Sequence, residues 1–578
     1  MSALGRHGKY LRIDVATGDA VAVPIPDEVS RDFIGGIGLG AWICMREGGA
    51  VAEPLSPEAP LVFALSPLVG TPLTTSAKLA VVARSPLTGF LSDAISSSHF
   101  AIAGKRAGFD AYAIVGKATG LSRVVVDDGE VEVRVAEELR GRTASDCELD
   151  GFRTAAIGLA GENLVRFATI SNDGRHAGRG GLGAVMGAKN IKAFSVRGTS
   201  RVELFDSAGV VAAARDLSKR SFGPATAKYR ELGTIANLLV FNRLDALPTR
   251  NFRESSFGEA PEIGAEALHA MNSHARSSCA ACTIGCEHVF KAPGGQPVRL
   301  EYESLFALGS LVGVGDRNRV LESAALCDEL GLDTISAGGT LALAMEAGHG
   351  GLSFGDADAV AAMLRQIAVR DGAGDLLAEG SRRAGDELGC PELAMHVKGL
   401  EIPGYDPRSM QAMALGFAVG SRGADHNRSG AYELDFSTDG DRLDFRPEHA
   451  AKVVEIEDRA AAMDALILCK FLRGVFSDFA SEGAELLRLV TGDEIDLVEA
   501  GARVNSFKKL FNLHAGWSRD DDTLPARFLK GGEKGSLSQK KLTDMISHYY
   551  RARCWTPNGT IPRETAEQLR LTPYLPSP

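Results

Sequence analysis

Three cysteines crowded into eight residues constrain this chain more than any other feature. They are Cys279, Cys282 and Cys286, in the spacing C-x-x-C-x-x-x-C, whereas the other six cysteines are scattered along the 578 residues. Three soft thiolates on one short loop can hold three corners of a [4Fe–4S] cluster, whose fourth ligand can come from far away in the sequence. A fold that binds such a cluster must therefore bring a fourth ligand to this loop.

Two other chemistries are compatible with the same loop. The three thiolates and His288 could form a tetrahedral zinc site. A dithiol redox motif is a weaker interpretation, because no βαβ pattern adjoins the Cys279–Cys282 pair. The order of the spacings is the reverse of C-x-x-x-C-x-x-C, which argues against radical-SAM chemistry. The spacing favours iron–sulfur, and a distant partner would decide between iron–sulfur and zinc.

Composition excludes several classes of protein. The net charge is −11, whereas a general nucleic-acid or anionic-membrane binder needs a positive surface. No apolar stretch approaches the 18 residues that a membrane span requires, and the first residues lack the apolar core of a secretory signal. With nine cysteines, an odd number, we expect a cytoplasmic protein in a reducing environment, with no membrane span and no nucleic-acid partner.

Hydrophobic periodicity changes along the chain. Residues 8–25 alternate as in a β-hairpin, and strand-like runs follow at 79–83, 111–115, 123–126 and 191–196. From about residue 205 the pattern becomes helical, for example over 317–330, with Asp316 as N-cap and Gly331 as stop signal. Residues 333–348, 357–388 and 446–492 are also predicted to be helical. The pattern predicts an α+β multidomain protein: an N-terminal β-rich, β-sandwich-like domain (1–203) followed by two mostly α-helical domains (204–402 and 403–578).

Eight motifs follow one another along the chain: DFIGG (32–36), SPLTG (85–89), EYESL (301–305), CDELGLD (327–333), SRGADH (421–426), MDALILCKF (463–471), FNL (511–513) and DDTLP (521–525). Together they resemble the aldehyde ferredoxin oxidoreductase family of tungsten or molybdenum pterin enzymes. The match covers nearly the whole chain in order. Such a series is far more specific than any one of its motifs.

The resemblance implies a set of cofactors. In this family, three clustered cysteines and a distant one hold a [4Fe–4S] cluster, which implies the ligand set Cys279, Cys282, Cys286 and Cys469. It also implies tungsten or molybdenum between two pterin dithiolenes, whose phosphates are bridged by Mg²⁺. The protein then supplies no side-chain ligand to the heavy metal and contributes binding, orientation and electrostatics.

The resemblance further implies which residues hold the pterins. Two Asp-x-x-Gly-Leu-(Cys/Asp) motifs grip them in the family, and the second copy here has Ile467 in place of glycine. A glycine-rich run (172–183) and residues 74–78 would contact the pterin phosphates, with a lysine at a position where many relatives have arginine. The implied cofactor-binding residues are Lys78, Arg179, Gly180, Gly181, Asp328, Gly331, Leu332, Asp333, Asp464 and Leu468.

Catalysis, by the same resemblance, centres on Glu303, with Glu301 as a rival, and on His426. The carboxylate would deprotonate water or an aldehyde hydrate, and the imidazole would polarise the aldehyde carbonyl. The implied activity is oxidation of aldehydes to carboxylic acids, with electrons passing through the cluster to ferredoxin or an iron–sulfur subunit, in a homodimer or hetero-oligomer. The alternatives are the catalytic subunit of a ring-reducing, benzoyl-CoA reductase-like complex and a non-catalytic zinc-stabilised module.

An acidic ferredoxin would need a local basic patch on this acidic chain. We expect that patch at Lys470, Arg473, Lys508 and Lys509.

Overall fold

The computed structural model describes residues 4–272, 274–438, 440–531 and 536–576. The N-terminal third is built on strands, as predicted from its alternating pattern. These strands are β1 (Lys9–Asp14), β2 (Ala20–Pro24), β3 (Leu61–Ala64), β4 (Lys78–Arg84), β5 (Leu91–Ser97), β6 (Ala111–Val115), β7 (Ser122–Asp127), β8 (Glu130–Val135), β9 (Arg153–Ile157), β10 (Ile170–Asn172), β11 (Arg175–Ala177) and β12 (Ile191–Arg197).

Two six-stranded mixed sheets organise this region. The first has the order β2-β1-β6-β3-β4-β5, and the second β11-β10-β9-β12-β7-β8. In the first sheet only β1 and β6 pair in parallel, and in the second only β12 and β7 do so. The hairpin predicted over 8–25 is confirmed as the antiparallel pair β1–β2, with Leu11 opposite Ala22.

The inward-facing side chains of the two sheets share one apolar core. Phe63 of the first sheet and Phe194 of the second meet edge to face with ring centroids 5.2 Å apart. Phe100 lies 5.2 Å from Phe194 and joins them from the helix that packs between the sheets. Edge-to-face pairs of this kind add to the stabilisation that comes from burying the rings. The sandwich-like arrangement is therefore held by a common aromatic centre.

Helices dominate the rest of the chain. The N-terminal region contains α1 (Asp27–Asp32), α2 (Gly36–Arg46), α3 (His99–Arg106), α4 (Leu159–Glu162) and α5 (Leu182–Ala188). The middle region contains α6 (Ser207–Arg220), α7 (Pro224–Leu232), α8 (Asn237–Arg243), α9 (Ala260–Ile263), α10 (Ala265–Met271), α11 (Tyr302–Leu308), α12 (Arg317–Leu330), α13 (Thr334–Glu346), α14 (Ala357–Val369), α15 (Ala373–Leu377) and α16 (Ser381–Glu387).

The C-terminal region contains the remaining helices. They are α17 (Gln411–Val419), α18 (His426–Ser429), α19 (Tyr432–Asp435), α20 (His449–Leu466), α21 (Phe479–Thr491), α22 (Leu497–His514), α23 (Gln539–Ala552) and α24 (Arg563–Gln568). Two small antiparallel sheets complete the fold: β13 (His274–Ser277), β14 (Glu287–Lys291) and β15 (Pro297–Arg299), then β16 (His396–Val397) and β17 (Leu400–Glu401). Of the helices described, none combines the length and apolarity needed to cross a membrane.

The predicted helix signals are confirmed where they matter for the site. The carboxylate of Asp316 accepts from the backbone N–H groups of Asn318 and Arg319 and caps α12, and Gly331 ends that helix in the left-handed conformation. Asp333 then caps α13 through the N–H of Ile335. The fold class is α+β, with a β-rich N-terminal region and helical regions after it, as the sequence predicts.

A candidate cofactor cavity with a carboxylate–imidazole pair

The N-terminal sheets and the helical regions together enclose a cavity of about 700 Å³. Residues from widely separated parts of the sequence line it. They include the predicted site residues Lys78, Arg179, Cys279, Glu303, Asp328, Leu332, Asp333, His426, Asp464, Leu468 and Cys469. A cavity of this size is large enough for a cofactor, and most of the predicted residues face it.

The four predicted cluster cysteines lie around Lys78. The negative charges of Cys469, Cys279, Cys282 and Cys286 all act on its ammonium group. Burial lowers the pKa of Lys78, but the four cysteine sulfurs in their ionised form together outweigh burial and raise it. Burial, followed by the neighbouring Cys469, raises the pKa of the Cys282 thiol. In the described part of the chain, no three His, Cys, Asp or Glu side chains converge closely enough to hold a single metal ion.

Hydrogen bonds from the segment before Lys78 join the cysteine loop to the distant fourth cysteine. The backbone N–H of Thr75 donates to the carbonyl of Ala281 at 2.6 Å, within the three-cysteine loop. The hydroxyl of Thr75 accepts from the N–H of Cys469 at 3.2 Å. The next loop residue after Cys282, Thr283, donates its N–H to the Thr74 hydroxyl at 3.0 Å. Residues 74 and 75 therefore bring Cys469 to the loop.

His288, the fourth ligand of the zinc interpretation, has another partner. It is buried on β14, and its Nδ1 lies 3.2 Å from Nε2 of His269. Cys469 is tied to the three-cysteine loop from a distance through its backbone N–H and Thr75, and its role as the fourth ligand stays a prediction.

The first predicted pterin motif forms a tight turn between α12 and α13. Gly331 has φ +78°, and a Cβ atom there would stand 3.0 Å from the backbone nitrogen of Gly158. Asp333 accepts from the Ser336 hydroxyl at 2.7 Å, and the carboxylate of Asp328 lies 3.4 Å from His176 Nε2. Glycine is needed at the turn both for its φ and for this close approach. Gly331 itself lies behind the cavity wall, while its neighbours Leu332 and Asp333 face the cavity.

The second motif keeps the same kind of turn although it lacks the glycine. Ile467 ends α20 in the left-handed conformation, with φ +61° and ψ +35°. A Cβ atom on Gly36 would stand 2.3 Å from the carbonyl oxygen of Asp464 and 2.6 Å from Cγ1 of Ile467. The substitution of glycine by isoleucine therefore leaves the turn intact at the cost of local strain. Gly36, the last residue of the DFIGG motif, has no side chain and therefore leaves room for this turn.

The glycine-rich run divides into a cavity-facing part and a packed part. Arg179 faces the cavity, donates to the carbonyl of Glu401 at 2.6 Å, and lies 3.4 Å from Asp333 Oδ2. Cβ atoms on Gly180 and Gly181 would stand only 1.9 Å from Ser92 Oγ and from the Arg166 carbonyl oxygen. These two glycines lie behind the cavity wall and allow close backbone packing there. Their predicted contact with a cofactor stays a prediction.

Glu303 and His426 form a pair at the cavity. Nδ1 of His426 lies 3.4 Å from Oε1 of Glu303, and the other carboxylate oxygen accepts from the N–H of Gly404 at 3.1 Å. The Glu303 side chain is only 16 % exposed. Glu301, its rival, is 59 % exposed and forms an ion pair with Arg175 at 3.1 Å. The structure thus pairs Glu303, and not Glu301, with the imidazole.

Burial controls the charges of this pair. It raises the pKa of Glu303 to about 8 and lowers the pKa of His426 to about 4. Both shifts follow from the removal of water, which penalises the charged form of each group. At neutral pH the imidazole is therefore uncharged. The carboxyl group can take up or release a proton near the pH at which an enzyme works.

The helix that carries His426 is fixed by buried charges, among which the sequence analysis singled out neither Arg428 nor Asp93. Asp425 caps it by accepting from the N–H groups of Asn427 and Arg428, each at 2.9 Å. Arg428 forms ion pairs with Asp93 at 2.7 Å and with Asp464 of the second motif at 3.1 Å. Arg428 lies two residues after the SRGADH motif, so its position in the sequence could have indicated a role at the site. Nothing in the sequence around Asp93 indicates one.

An aromatic wall covers one side of the pair, and sequence reasoning missed it. Tyr405 packs against His426 with ring centroids 5.0 Å apart and stacks on Tyr432 at 5.7 Å. Phe241 lies 5.0 Å from Tyr405, and the partly exposed Phe436 lies 5.9 Å from Phe241. Phe241 comes from α8, Tyr405 from a loop, and Tyr432 and Phe436 from α19 and its C-cap, so no local sequence pattern predicts the wall.

The basic patch expected at 470, 473, 508 and 509 is wrong as a docking surface. Lys508 and Lys509 are buried in α22, where they pair with Asp93 at 3.4 Å and Asp522 at 3.6 Å. Lys470 pairs with Asp464 at 2.9 Å, and Arg473 with Glu433 at 2.6 Å. All four cations are therefore paired with carboxylates, and Lys470 and Arg473 are only 11 % and 16 % exposed, so they do not form an exposed basic patch.

The chain matches two family models that together span most of its length. The aldehyde ferredoxin oxidoreductase N-terminal domain matches residues 10–198, and domains 2 and 3 of the same family match residues 211–571. The chain therefore belongs to the aldehyde ferredoxin oxidoreductase family and is an oxidoreductase.

Individual relatives agree with this assignment. The chain is 36 % identical to the tungsten-containing aldehyde ferredoxin oxidoreductases of Pyrococcus furiosus and of Thermococcus kodakarensis, over 99 % of this chain and 100 % of each relative. Among solved structures, the active-site complex BamBC of benzoyl coenzyme A reductase with 1,5-dienoyl-CoA superimposes with a TM-score of 0.86. That match is 23 % identical and covers 99 % of this chain and 98 % of the other, and it shows a shared fold.

Proposed function

We propose that this chain is a tungsten or molybdenum bis-pterin enzyme that oxidises aldehydes to carboxylic acids. The observation that carries the proposal is the Glu303–His426 pair, which faces the same cavity as Cys279 and Cys469. A cavity with a proton-transfer pair and an electron-accepting cluster at its wall suits a reaction that removes both protons and electrons from its substrate.

The polar groups of the cavity fit a large anionic cofactor. Nη1 of Arg179 is buried without a hydrogen-bond partner among the described residues, and a phosphate or pterin oxygen would satisfy it. The carboxylates of the two motif turns offer acceptors for pterin N–H groups. The residues proposed to hold the pterins are Lys78, Arg179, Asp328, Leu332, Asp333, Asp464 and Leu468. We also propose Mg²⁺ between the pterin phosphates.

When bound, the metal–pterin group would accept two electrons from the substrate. Overall, an aldehyde and water give a carboxylate, three protons and two electrons. Glu303 is proposed as the base that takes a proton from water or from the aldehyde hydrate at its Oε1, the oxygen that lies near His426. The neutral imidazole of His426 can donate one hydrogen bond to the aldehyde oxygen as negative charge develops there. Asp425 caps α18, which begins at His426, and Arg422 forms an ion pair with Asp425, so both are proposed to position this imidazole.

The four cysteines are proposed to hold a [4Fe–4S] cluster that carries the electrons away. Cys279 and Cys469 line the cavity together with Lys78, so a cluster held by these cysteines would lie at the cavity wall. The final acceptor is proposed to be ferredoxin or an iron–sulfur partner subunit.

Ring reduction in the manner of benzoyl-CoA reductase is the second candidate, and the shared fold with BamBC supports it. The higher identity to the aldehyde enzymes over the full length of the chain favours aldehyde oxidation.

Metal analysis and a substrate comparison test the proposal. Protein purified without oxygen from cells supplied with tungstate and molybdate is expected to contain tungsten or molybdenum, together with about four iron atoms per chain. It should reduce benzyl viologen when given aldehydes, but not when aryl-CoA thioesters and a strong reductant are offered for dearomatisation. Zinc without tungsten, molybdenum or iron would overturn both enzyme hypotheses. Dearomatisation without aldehyde oxidation would favour the second candidate.

A further inference from the structure

The geometry points to a docking surface for a small acidic iron–sulfur carrier protein on the exposed face of α6 and the adjoining three-cysteine loop. The inference rests on the proposed role of the four cysteines in electron transfer. It replaces the basic patch that the sequence suggested, because the structure buries Lys508 and Lys509 and pairs all four of those cations with carboxylates.

The three-cysteine loop reaches both the cavity and solvent. Cys279 faces the cavity, whereas Ala281 is exposed and holds the left-handed conformation with φ +48°. The hydroxyls of Thr283 and Ser221 are 2.7 Å apart, so the C-terminal end of α6 touches the loop directly. Electron transfer weakens steeply with distance, and a carrier seated on this surface would approach the cluster closely.

The exposed face of α6 has the composition of an interface. Val211 and Phe222 are 43 % and 55 % exposed, unusual values for large apolar side chains. Arg215 and Lys219 are exposed on the same face of α6 as Val211, because positions 211, 215 and 219 follow the helical repeat, and Phe222 lies two residues beyond the end of the helix. Apolar side chains surrounded by cations are typical of a site that binds a partner rather than of an inert surface.

The local charge opposes the charge of the whole chain. Residues 215–230 contain five Lys or Arg and one acidic residue, whereas the net charge of the chain is −11. Arg220 is neutralised by Asp216 at 2.8 Å and by Glu482 of α21 at 2.6 Å, so Arg215 and Lys219 are the exposed cations that α6 offers to a partner. Arg230 lies 5.8 Å from the centre of the Phe222 ring, and Arg276 donates to the carbonyl of Arg230 at 3.3 Å. An acidic carrier would be repelled elsewhere and attracted here.

Charge reversal on α6 tests the surface in the holoenzyme. The test variant carries Arg215→Glu and Lys219→Glu, two exposed positions outside the cavity. Its control carries Arg365→Glu and Lys540→Glu, which make the same charge change on exposed positions of α14 and α23. Aldehyde oxidation is measured with benzyl viologen, and separately with an acidic two-cluster ferredoxin at low and high salt. Binding of oxidised ferredoxin is measured by calorimetry.

With ferredoxin at low salt, kcat/KM is expected to fall about tenfold or more in the test variant, and ferredoxin binding should weaken in parallel. With viologen both variants should match the wild type, and high salt should shrink the difference. Equal loss in test and control, or undiminished ferredoxin binding in the test variant, would overturn the docking surface. Absence of viologen-linked activity in the wild type would instead overturn the proposed aldehyde oxidation. The comparison of ferredoxin binding between the test and control variants would still test the docking surface.

Discussion

Replacing Glu303 by glutamine tests two effects of this residue: its role as a general base, and the loss of folding stability that its buried carboxylate causes. Its side chain is 16 % exposed, and its Oε1 lies 3.4 Å from His426 Nδ1. Glutamine keeps the shape of the side chain but cannot accept a proton at the reacting atoms. A general base contributes roughly 10²- to 10⁴-fold to a rate, so aldehyde oxidation is expected to fall by about that factor in Glu303→Gln.

The raised pKa of Glu303 gives this prediction a pH dependence. Burial moves it from 4.5 to about 8, so at pH 7 only about a tenth of the carboxyl groups are ionised. The wild-type rate is therefore expected to rise about tenfold between pH 7 and pH 9 as the base form accumulates. The measurement is kcat/KM for an aldehyde with viologen as acceptor across this range.

The same shift predicts an effect on stability, with a definite sign. An acid whose pKa is higher in the folded state stabilises the fold at low pH, and that stability is lost as pH rises through the folded value. The shift from 4.5 to about 8 corresponds to roughly 5 kcal/mol, and solvent at the exposed edge of the side chain reduces this to a few. Above pH 8, Glu303→Gln should therefore unfold at a higher temperature than the wild type, whereas near pH 5 the two should agree.

Glu301→Gln is the matched control for both measurements. This residue is 59 % exposed and pairs with Arg175. We expect its loss to change the rate by at most a few-fold, with no stabilisation at high pH. A large rate loss in Glu301→Gln together with a nearly normal rate in Glu303→Gln would refute the assignment of the base. A wild-type rate independent of pH between 7 and 9 would refute the reasoning from burial.

Three further predictions concern the cluster, the turn at Gly331 and the buried ion pairs of Arg428. Cys469→Ala should abolish the electron paramagnetic resonance signal of the reduced cluster, while Cys554→Ala, at an exposed cysteine, should keep it; an unchanged signal in Cys469→Ala would remove that residue from the ligand set. Gly331→Ala should destabilise the fold by more than the roughly 1–2 kcal/mol that a left-handed alanine costs, because the new Cβ would lie 3.0 Å from Gly158. Gly348→Ala, with φ +66° and open space around it, should show the backbone cost alone, and equal losses in thermal unfolding would contradict the packing argument. Arg428→Met leaves Asp93 and Asp464 short of a cation and should cost about 3–5 kcal/mol, whereas Arg563→Met, at an exposed pair, should cost under about 1 kcal/mol; similar losses would contradict the buried-pair argument.

Much of the fold could be predicted from local signals. The hairpin over 8–25, the strand runs and the α12–α13 turn are all encoded by alternation, capping residues and a stop glycine that lie within a few positions of one another. The domain limits at 203 and 402 stay predictions. The strands of the two large sheets do end at Arg197, near the first of these limits.

The candidate site was only partly predictable, because its partners are far apart in the sequence. The charges at 508 and 509 looked like an exposed pair, yet each is neutralised by a carboxylate from another element, Asp93 or Asp522. The choice between Glu301 and Glu303 depends on which side chain meets His426, more than 100 residues later. Sequence resemblance supplied Cys469. Only the structure shows that Thr75 joins it to the loop.

The most direct test of the proposed function is aldehyde-dependent reduction of benzyl viologen by protein purified without oxygen from cells supplied with tungstate. The account predicts that each mole of aldehyde consumed yields one mole of carboxylic acid and two moles of reduced viologen, since oxidation to the acid releases two electrons. Protein that contains iron, together with tungsten or molybdenum, but reduces no viologen with any aldehyde of a broad panel would contradict it.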